Sequence, residues 1–130
     1  MTRFHSDITE KLLAGALQVL RKNNVANKRI KVVHIPGAFE LPLACQHLAL
    51  QKKFDALIAL GCVIKGETNH HVLVEGEAAR GIMHVSLVYN IPIGFGVVTA
   101  HTLPQARNRS DSKENRGSDA ARAALAMTAI

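Results

Sequence analysis

The stretch Ala56 to Ile64 is apolar at every position except Gly61, and it is bounded by Asp55 on one side and Lys65-Gly66 on the other. A strand with one face in water alternates apolar and polar residues. A continuous apolar run of strand length reads instead as a strand covered on both faces, the signature of a parallel sheet. Such a strand needs helices above and below it, and the flanking sequence supplies them. Ile8, Leu12, Leu13, Ala16, Leu17 and Leu20 recur at helical period, so residues 8–22 are expected to form an amphipathic helix. Asp7 and Glu10 stand at capping-box spacing in front of it. Ile30 to His34 reads as a short strand broken by Pro36-Gly37. Residues 39–51 form a helix that tolerates Pro42 in its first turn. A long helix is expected over 69–89, a strand over 93–99, and a short helix opened by Thr102 and Gln105, again at capping-box spacing. Residues 107–116 are polar and read as a loop, and 118–127 form a final alanine-rich helix.

Strands alternating with helices give an α/β fold with a parallel sheet. At 130 residues the chain is expected to be one compact domain, 1–130. One feature is out of pattern: it opens directly into a helix. Three parallel strands would leave apolar helix surface without a partner. A strand is therefore expected to be missing from the front of the fold, or to be supplied by something else.

Composition narrows the function. Apolar residues make up 48% of the chain, which is incompatible with disorder. No apolar run reaches the length of a membrane span, and no charged-then-apolar leader is present, so a cytoplasmic location is the default expectation. Cys45 and Cys62 are not spaced as a CxxC pair and lie in apolar surroundings, which favours buried thiols over a disulfide or metal site. The net charge of +6 invites comparison with nucleic-acid binders. The basic residues are spread along the chain, however, and the four phenylalanines and one tyrosine do not interleave with them as a stacking platform. A solvated basic surface or a small anionic substrate fits better.

In parallel α/β sheets ligands bind beyond the carboxyl ends of the strands, which directs attention to three segments. Lys65 to His71 lies between a strand and a helix. A helix N-terminus favours phosphate, Thr68 and Asn69 add donors, and His70 can exchange protons near neutral pH. The plainer reading has Thr68 or Asn69 as an N-cap and His70 as a surface residue. His70 and His71 are adjacent, so on a helix they point roughly 100° apart and do not suit a shared zinc ion. In Gly37-Ala38-Phe39-Glu40, Phe39 can lie against a flat heterocycle and Glu40 can accept hydrogen bonds from hydroxyls. The plainer reading buries Phe39 and gives Glu40 to the helix dipole. The third segment carries Arg107, Arg109, Lys113 and Arg116, where an arginine can grip a phosphate with two hydrogen bonds, against the reading of a solvated basic loop. Phe4 and Phe95 remain open between core and ligand contact. No serine or cysteine nucleophile motif, P-loop or dinucleotide fingerprint is present.

Pro36-Gly37-Ala38-Phe39-Glu40-Leu41-Pro42, the run Gly61 to His70, and Glu77-Ala78-Ala79-Arg80-Gly81 resemble the signature segments of the lumazine synthases. Arg3 to Thr9, Gly96 to Thr99 and Asn115-Arg116-Gly117 fit in the same order, so the resemblance covers essentially the whole chain. It implies a flavodoxin-like three-layer sandwich, here lacking the first core strand, with Met1 standing where longer members have an internal residue. It implies the condensation of 5-amino-6-(D-ribitylamino)uracil with 3,4-dihydroxy-2-butanone 4-phosphate, without metal or organic cofactor. By matching position, His70 would transfer protons, and Arg109 would bind the phosphate with Glu67 and Thr68 beside it. Phe4 would stack on the pyrimidine. Ala38, Phe39 and Glu40 would hold the ring and the ribityl chain, as would Cys62, Val63 and Ile64 through their backbones. Phe95 and Arg109 would serve a neighbouring subunit's site, since the family's sites lie between subunits of a pentamer, sometimes assembled into an icosahedral shell and associated with riboflavin synthase. The sequence departs from the family at His5 (usually Asn), His71 (often aromatic), Val72 (often acidic) and Arg116 (usually Lys). The competing reading is a non-catalytic subunit of the same fold that binds a flavin or lumazine, or only builds a shell.

Overall fold

In the computed structural model, which describes residues 1–65 and 71–130 without the side chain of His71, the apolar run becomes strand β1, Leu57–Ile64. It pairs in parallel with β2, Ile93–Ala100, in the register Leu57 to Ile93 through Ile64 to Ala100. Side chains alternate across the sheet. Leu57, Ala59 and Val63 enter a core on one face, and Leu60, Cys62 and Ile64 enter a core on the other. The first core is closed by α2 (Leu41–Leu50) and α3 (His71–Tyr89), through residues such as Leu41, Ala78 and Ile82. The second is closed by α1 (Ser6–Lys22), α4 (Leu103–Asn108) and α5 (Arg116–Thr128), through Ile8, Leu12, Ala106 and Ala121. Helices on both faces of a parallel sheet make the expected α/β sandwich, and they explain why β1 has no polar face.

Three local expectations are corrected. The Asp7–Glu10 capping box is not made: α1 begins at Ser6, behind His5 in a left-handed turn (φ 55°), with no side-chain cap. The Ile8 and Thr9 N–H groups donate to the His5 carbonyl instead, and Asp7 lies within the first turn, where its charge suits the positive dipole end. The polar stretch 107–116 is only partly loop. α4 runs through Asn108, and α5 begins at Arg116, capped by Asn115, whose Oδ1 accepts from Ser118 N at 3.0 Å. Residues 30–34 form no ladder; a single parallel bridge joins Ile35 to Thr2. A strand exists only where a neighbour completes its hydrogen bonds, and residues 1–3 provide that neighbour for 33–35 alone. Along 30–33 the space beside β1 is a groove of about 1260 Å³.

Thr102 behaves as expected. Its hydroxyl accepts from Gln105 N at 3.4 Å, and Gln105 reaches back to the His101 N–H at 2.9 Å, one residue short of the ideal box. The layers approach most closely at two glycines. A Cβ on Gly94 would fall 2.1 Å from the Ala120 carbonyl oxygen, and one on Gly117 would fall 1.9 Å from that of Leu12.

Two groups at the groove make stability depend on pH. Burial pushes the Cys45 thiol up to about 11 from 9.0, with the nearby Met1 ammonium opposing it weakly. Burial also holds the Met1 ammonium below its ordinary 8.0. For the thiol, the unfolded chain loses its proton first as pH rises, so folding stability falls between pH 9 and about 11, by about 3 kcal/mol at most. For the amine, the unfolded chain holds its proton longer, so stability rises as pH approaches 8.0. Urea denaturation from pH 7 to 11 is expected to show a maximum near pH 8–9. Cys45→Ala should flatten the alkaline limb, and an unchanged limb in that variant would assign it to other groups.

Candidate functional site

Residues 1–3, the bridged Ile35, β1 and β2 run in one direction, so their carboxyl ends share one edge of the sheet. That edge carries Phe4, the turn from Gly37 to Glu40, the end of β1 and the end of β2. In this arrangement no one strand forms a site; neighbouring strand ends form it together.

Phe4 and Glu40 meet over Gly37. A Cβ on Gly37 would lie 3.3 Å from the Phe4 ring and 3.6 Å from a Glu40 carboxylate oxygen. Gly37 is buried, and the absence of a side chain lets the Phe4 ring settle against the turn. The buried alternatives for the aromatic residues are set aside: Phe4 is 68% exposed, Phe39 57% and Phe95 45%. Open aromatic rings forgo burial worth about 1.5–3 kcal/mol each, whereas the aliphatic Ile8 and Leu12 are fully buried. Glu40 stands at the cap position of α2 without making a side-chain cap, so its carboxylate is not occupied by the helix end. Ala38 is buried and belongs to the core beneath this turn, which leaves its backbone as the part that can meet a ligand.

Cys62, Val63 and Ile64 are buried along the last part of β1. Beside them, Lys65 N donates to Ala100 O at 2.7 Å and extends the ladder to the sheet's edge. Arg109 sits just after α4, and its guanidinium donates to the Thr99 carbonyl at the end of β2. Its own carbonyl accepts from Arg116 N at 2.9 Å. With Phe95, Val97, Val98, Thr99 and Arg116 it lines a cavity of about 210 Å³. The structure thus brings Phe95 and Arg109 together, and Phe4 with Glu40. Glu67, Thr68 and His70 lie outside the described residues. Among the described residues no three His, Cys, Asp or Glu side chains gather as metal ligands, and no helix is long and apolar enough to cross a membrane.

Sequence reasoning missed Asn115. Its Nδ2 donates to Lys11 O and to Ser110 O, both at 2.9 Å, while its Oδ1 caps α5. One side chain therefore ties α1, the Arg109 loop and α5 together. The signal was present, an asparagine before a helix, but the polar character of 107–116 made the segment read as a loop.

With this geometry in place, comparison with known proteins gives two findings. The family model described as 6,7-dimethyl-8-ribityllumazine synthase matches residues 1–130. The chain is 44% identical over 128 residues to a protein of Kosmotoga olearia named 6,7-dimethyl-8-ribityllumazine synthase, a match that covers 98% of this chain and 82% of the relative.

Proposed function

This chain belongs to the 6,7-dimethyl-8-ribityllumazine synthase family, and from that premise we propose that it condenses 5-amino-6-(D-ribitylamino)uracil with 3,4-dihydroxy-2-butanone 4-phosphate, releasing phosphate and water in a step of riboflavin biosynthesis. The observation that carries the reading is the match of residues 1–130 to this family, in a chain that holds an open Phe4 beside Glu40 over Gly37 and, separately, an anchored Arg109 beside Phe95. The reaction is a transfer that needs little beyond positioning, a phosphate grip and a proton shuttle. Phe4 offers its face to the pyrimidine, and Glu40 accepts from ribityl hydroxyls, with the backbones of Ala38, Cys62, Val63 and Ile64 and the Phe39 ring completing that subsite. Arg109, with Glu67 and Thr68, receives the phosphate and stabilises it as charge builds on the leaving group. His70 moves the proton.

The assembly belongs to the same reading. Met83 and Leu87, one turn apart on α3, are exposed, as are Val72, Leu73 and Leu43. Apolar helix surface of this kind supports contact with further copies. Phe95 and Arg109 would then complete a neighbour's site within a pentamer, or within a shell of pentamers that associates with riboflavin synthase. A monomer in sedimentation would remove this part of the proposal. The buried positions of Cys45 and Cys62 accord with a cytoplasmic setting.

Incubation with both substrates tests the activity. Lumazine absorbance and fluorescence above the uncatalysed background are expected, and binding without turnover would favour a non-catalytic subunit. His70→Asn is expected to slow kcat about tenfold, below the usual general acid–base range because water can relay part of the proton traffic. Its urea midpoint should be unchanged. An unaltered rate removes His70 from the mechanism.

A further inference from the structure

The two cations that line the cavity at the end of β2 stand at opposite ends of one turn. Arg109 closes α4 and Arg116 opens α5, and Arg116 N donates to Arg109 O at 2.9 Å. Between them, residues 111–114 are exposed and bond among themselves: Asp111 Oδ1 accepts from Lys113 N at 3.0 Å and from Glu114 N at 3.2 Å. A surface turn of this kind gives its ends little fixed geometry. Asp119 Oδ2 stands 3.5 Å from the Arg116 guanidinium, an exposed pair that fixes little. The spacing of the two arginines is therefore set at the base of the turn, where Asn115 sits.

Asn115 directly precedes Arg116, and its Nδ2 donates at 2.9 Å to the carbonyl of Ser110, the residue directly after Arg109. The same Nδ2 donates to Lys11 O at 2.9 Å. The turn is thereby closed at its base and fixed to α1. Ser110 is 1% exposed, and its hydroxyl donates to Arg107 O at 3.0 Å, which pins the α4 side as well. α1 makes room for the amide at Gly15: a Cβ there would fall 2.4 Å from both Cγ and Oδ1 of Asn115 and 2.6 Å from Ser118 Oγ. Gly15 does not have positive φ, so its backbone would accept alanine, and its bare Cα serves as a socket for the amide. The cap of α5 uses only the Asn115 oxygen, which a serine hydroxyl supplies as well. The two bonds made by the nitrogen need another account.

We propose that Asn115 is a positioning residue for phosphate binding: it holds Arg109 and Arg116 at the separation at which both face one phosphate group in the cavity of about 210 Å³. The proposal rests on the reading of that cavity as the phosphate subsite. Asn115 acts through the two arginines and not on the substrate itself. Two neighbouring cations repel, and without a fixed base the turn would let them spread. Holding them together in the folded chain lowers the ordering cost when the anion arrives. If the clasp is lost both cations remain, so the effect must be smaller than that of removing one of them. Misplacement of a binding group by a fraction of an ångström fits a loss of about tenfold.

Asn115→Ser keeps an oxygen for the α5 cap and removes both donor bonds. It is expected to raise the KM for the phosphorylated substrate about tenfold and to leave the KM for the pyrimidine within about twofold. Inorganic phosphate, titrated by calorimetry into the full chain, should bind more weakly by the same factor. Gly15→Ala leaves Asn115 in the chain but displaces its amide, and it should give the same split. Because both changes break one clasp, the double variant should be no weaker than either alone. If the urea midpoint of Asn115→Ser falls while both KM values and the phosphate affinity hold, the clasp is structural and the proposal is overturned. Equal rises in both KM values overturn it too. A parent chain that binds phosphate but forms no product overturns the catalytic reading alone. Phosphate affinity across the same variants then decides the positioning role, which a loss of that size upholds and equal affinity overturns. A parent chain that binds no phosphate overturns both.

Discussion

Gly117→Ala is expected to destabilise the chain by about 3–4 kcal/mol, the sum of an overpacking cost and a lost helix cap. The added Cβ would fall 1.9 Å from the Leu12 carbonyl oxygen and 2.6 Å from its carbon. Those atoms are backbone in the middle of α1 and cannot rotate away as the end of a side chain can. No glycine of the described chain has positive φ, so the effect is steric and not conformational. Relief requires α1 and α5 to separate. That would loosen the contact of Leu12 with the alanine face of α5 and strain the Asn115 clasp to Lys11. Alanine is the better helix former by about 1 kcal/mol, so the measured loss is net of that gain. Against a typical total of about 5–15 kcal/mol, the urea midpoint should drop sharply with the slope unchanged. Gly76→Ala is the control: nothing lies within 4 Å of its added Cβ, so it should be neutral or stabilising. A Gly117→Ala variant within about 0.5 kcal/mol of the parent, the ordinary range for surface substitutions, would show that the two helices yield without cost.

The same glycine shows where sequence reading succeeds and where it stops. β1 was legible because two-sided burial leaves a local mark, an unbroken apolar run. Thr102 was legible because a cap is made within three residues. The start of α5 was not: the polar run 107–116 reads as a loop, and only the contact with Leu12, more than a hundred residues away, explains a glycine at position 117 of a helix. Residues 30–34 have strand chemistry, but pairing depends on a neighbour their own sequence cannot supply. The aromatic residues divide similarly. No local pattern distinguishes a buried Phe39 from an open one, since the difference lies in which surfaces close over the turn. At the site, Phe4, Glu40 and Arg109 were nameable through family motifs, whereas the way they are held, by Gly37 and by the Thr99 carbonyl, belongs to the fold.

Arg109→Ala should raise the KM for the phosphorylated substrate about a hundredfold and leave the KM for the pyrimidine within about threefold. Two charge-assisted hydrogen bonds to a phosphate contribute about 3 kcal/mol together at the lower end of their range, which is about a hundredfold in affinity. The anchoring observed here is what makes that figure attainable. One arm of the guanidinium is held by Thr99 O, and the backbone is pinned by Arg116 N. The remaining N–H groups are thereby oriented before a ligand arrives, and little entropy is lost on binding. Lysine keeps the charge but has no planar fork, and it cannot hold Thr99 and bracket a phosphate in the same way. Arg109→Lys should therefore recover only part of the loss, with a KM about tenfold above the parent. Arg116 lines the same cavity and provides a second cation, so inorganic phosphate should still inhibit the Arg109→Ala variant weakly, at proportionately higher concentration. Steady-state kinetics with each substrate varied in turn decides the matter. Equal effects on both KM values would mean that Arg109 supports the sheet edge as a whole, and the phosphate subsite would then have to be sought elsewhere along it.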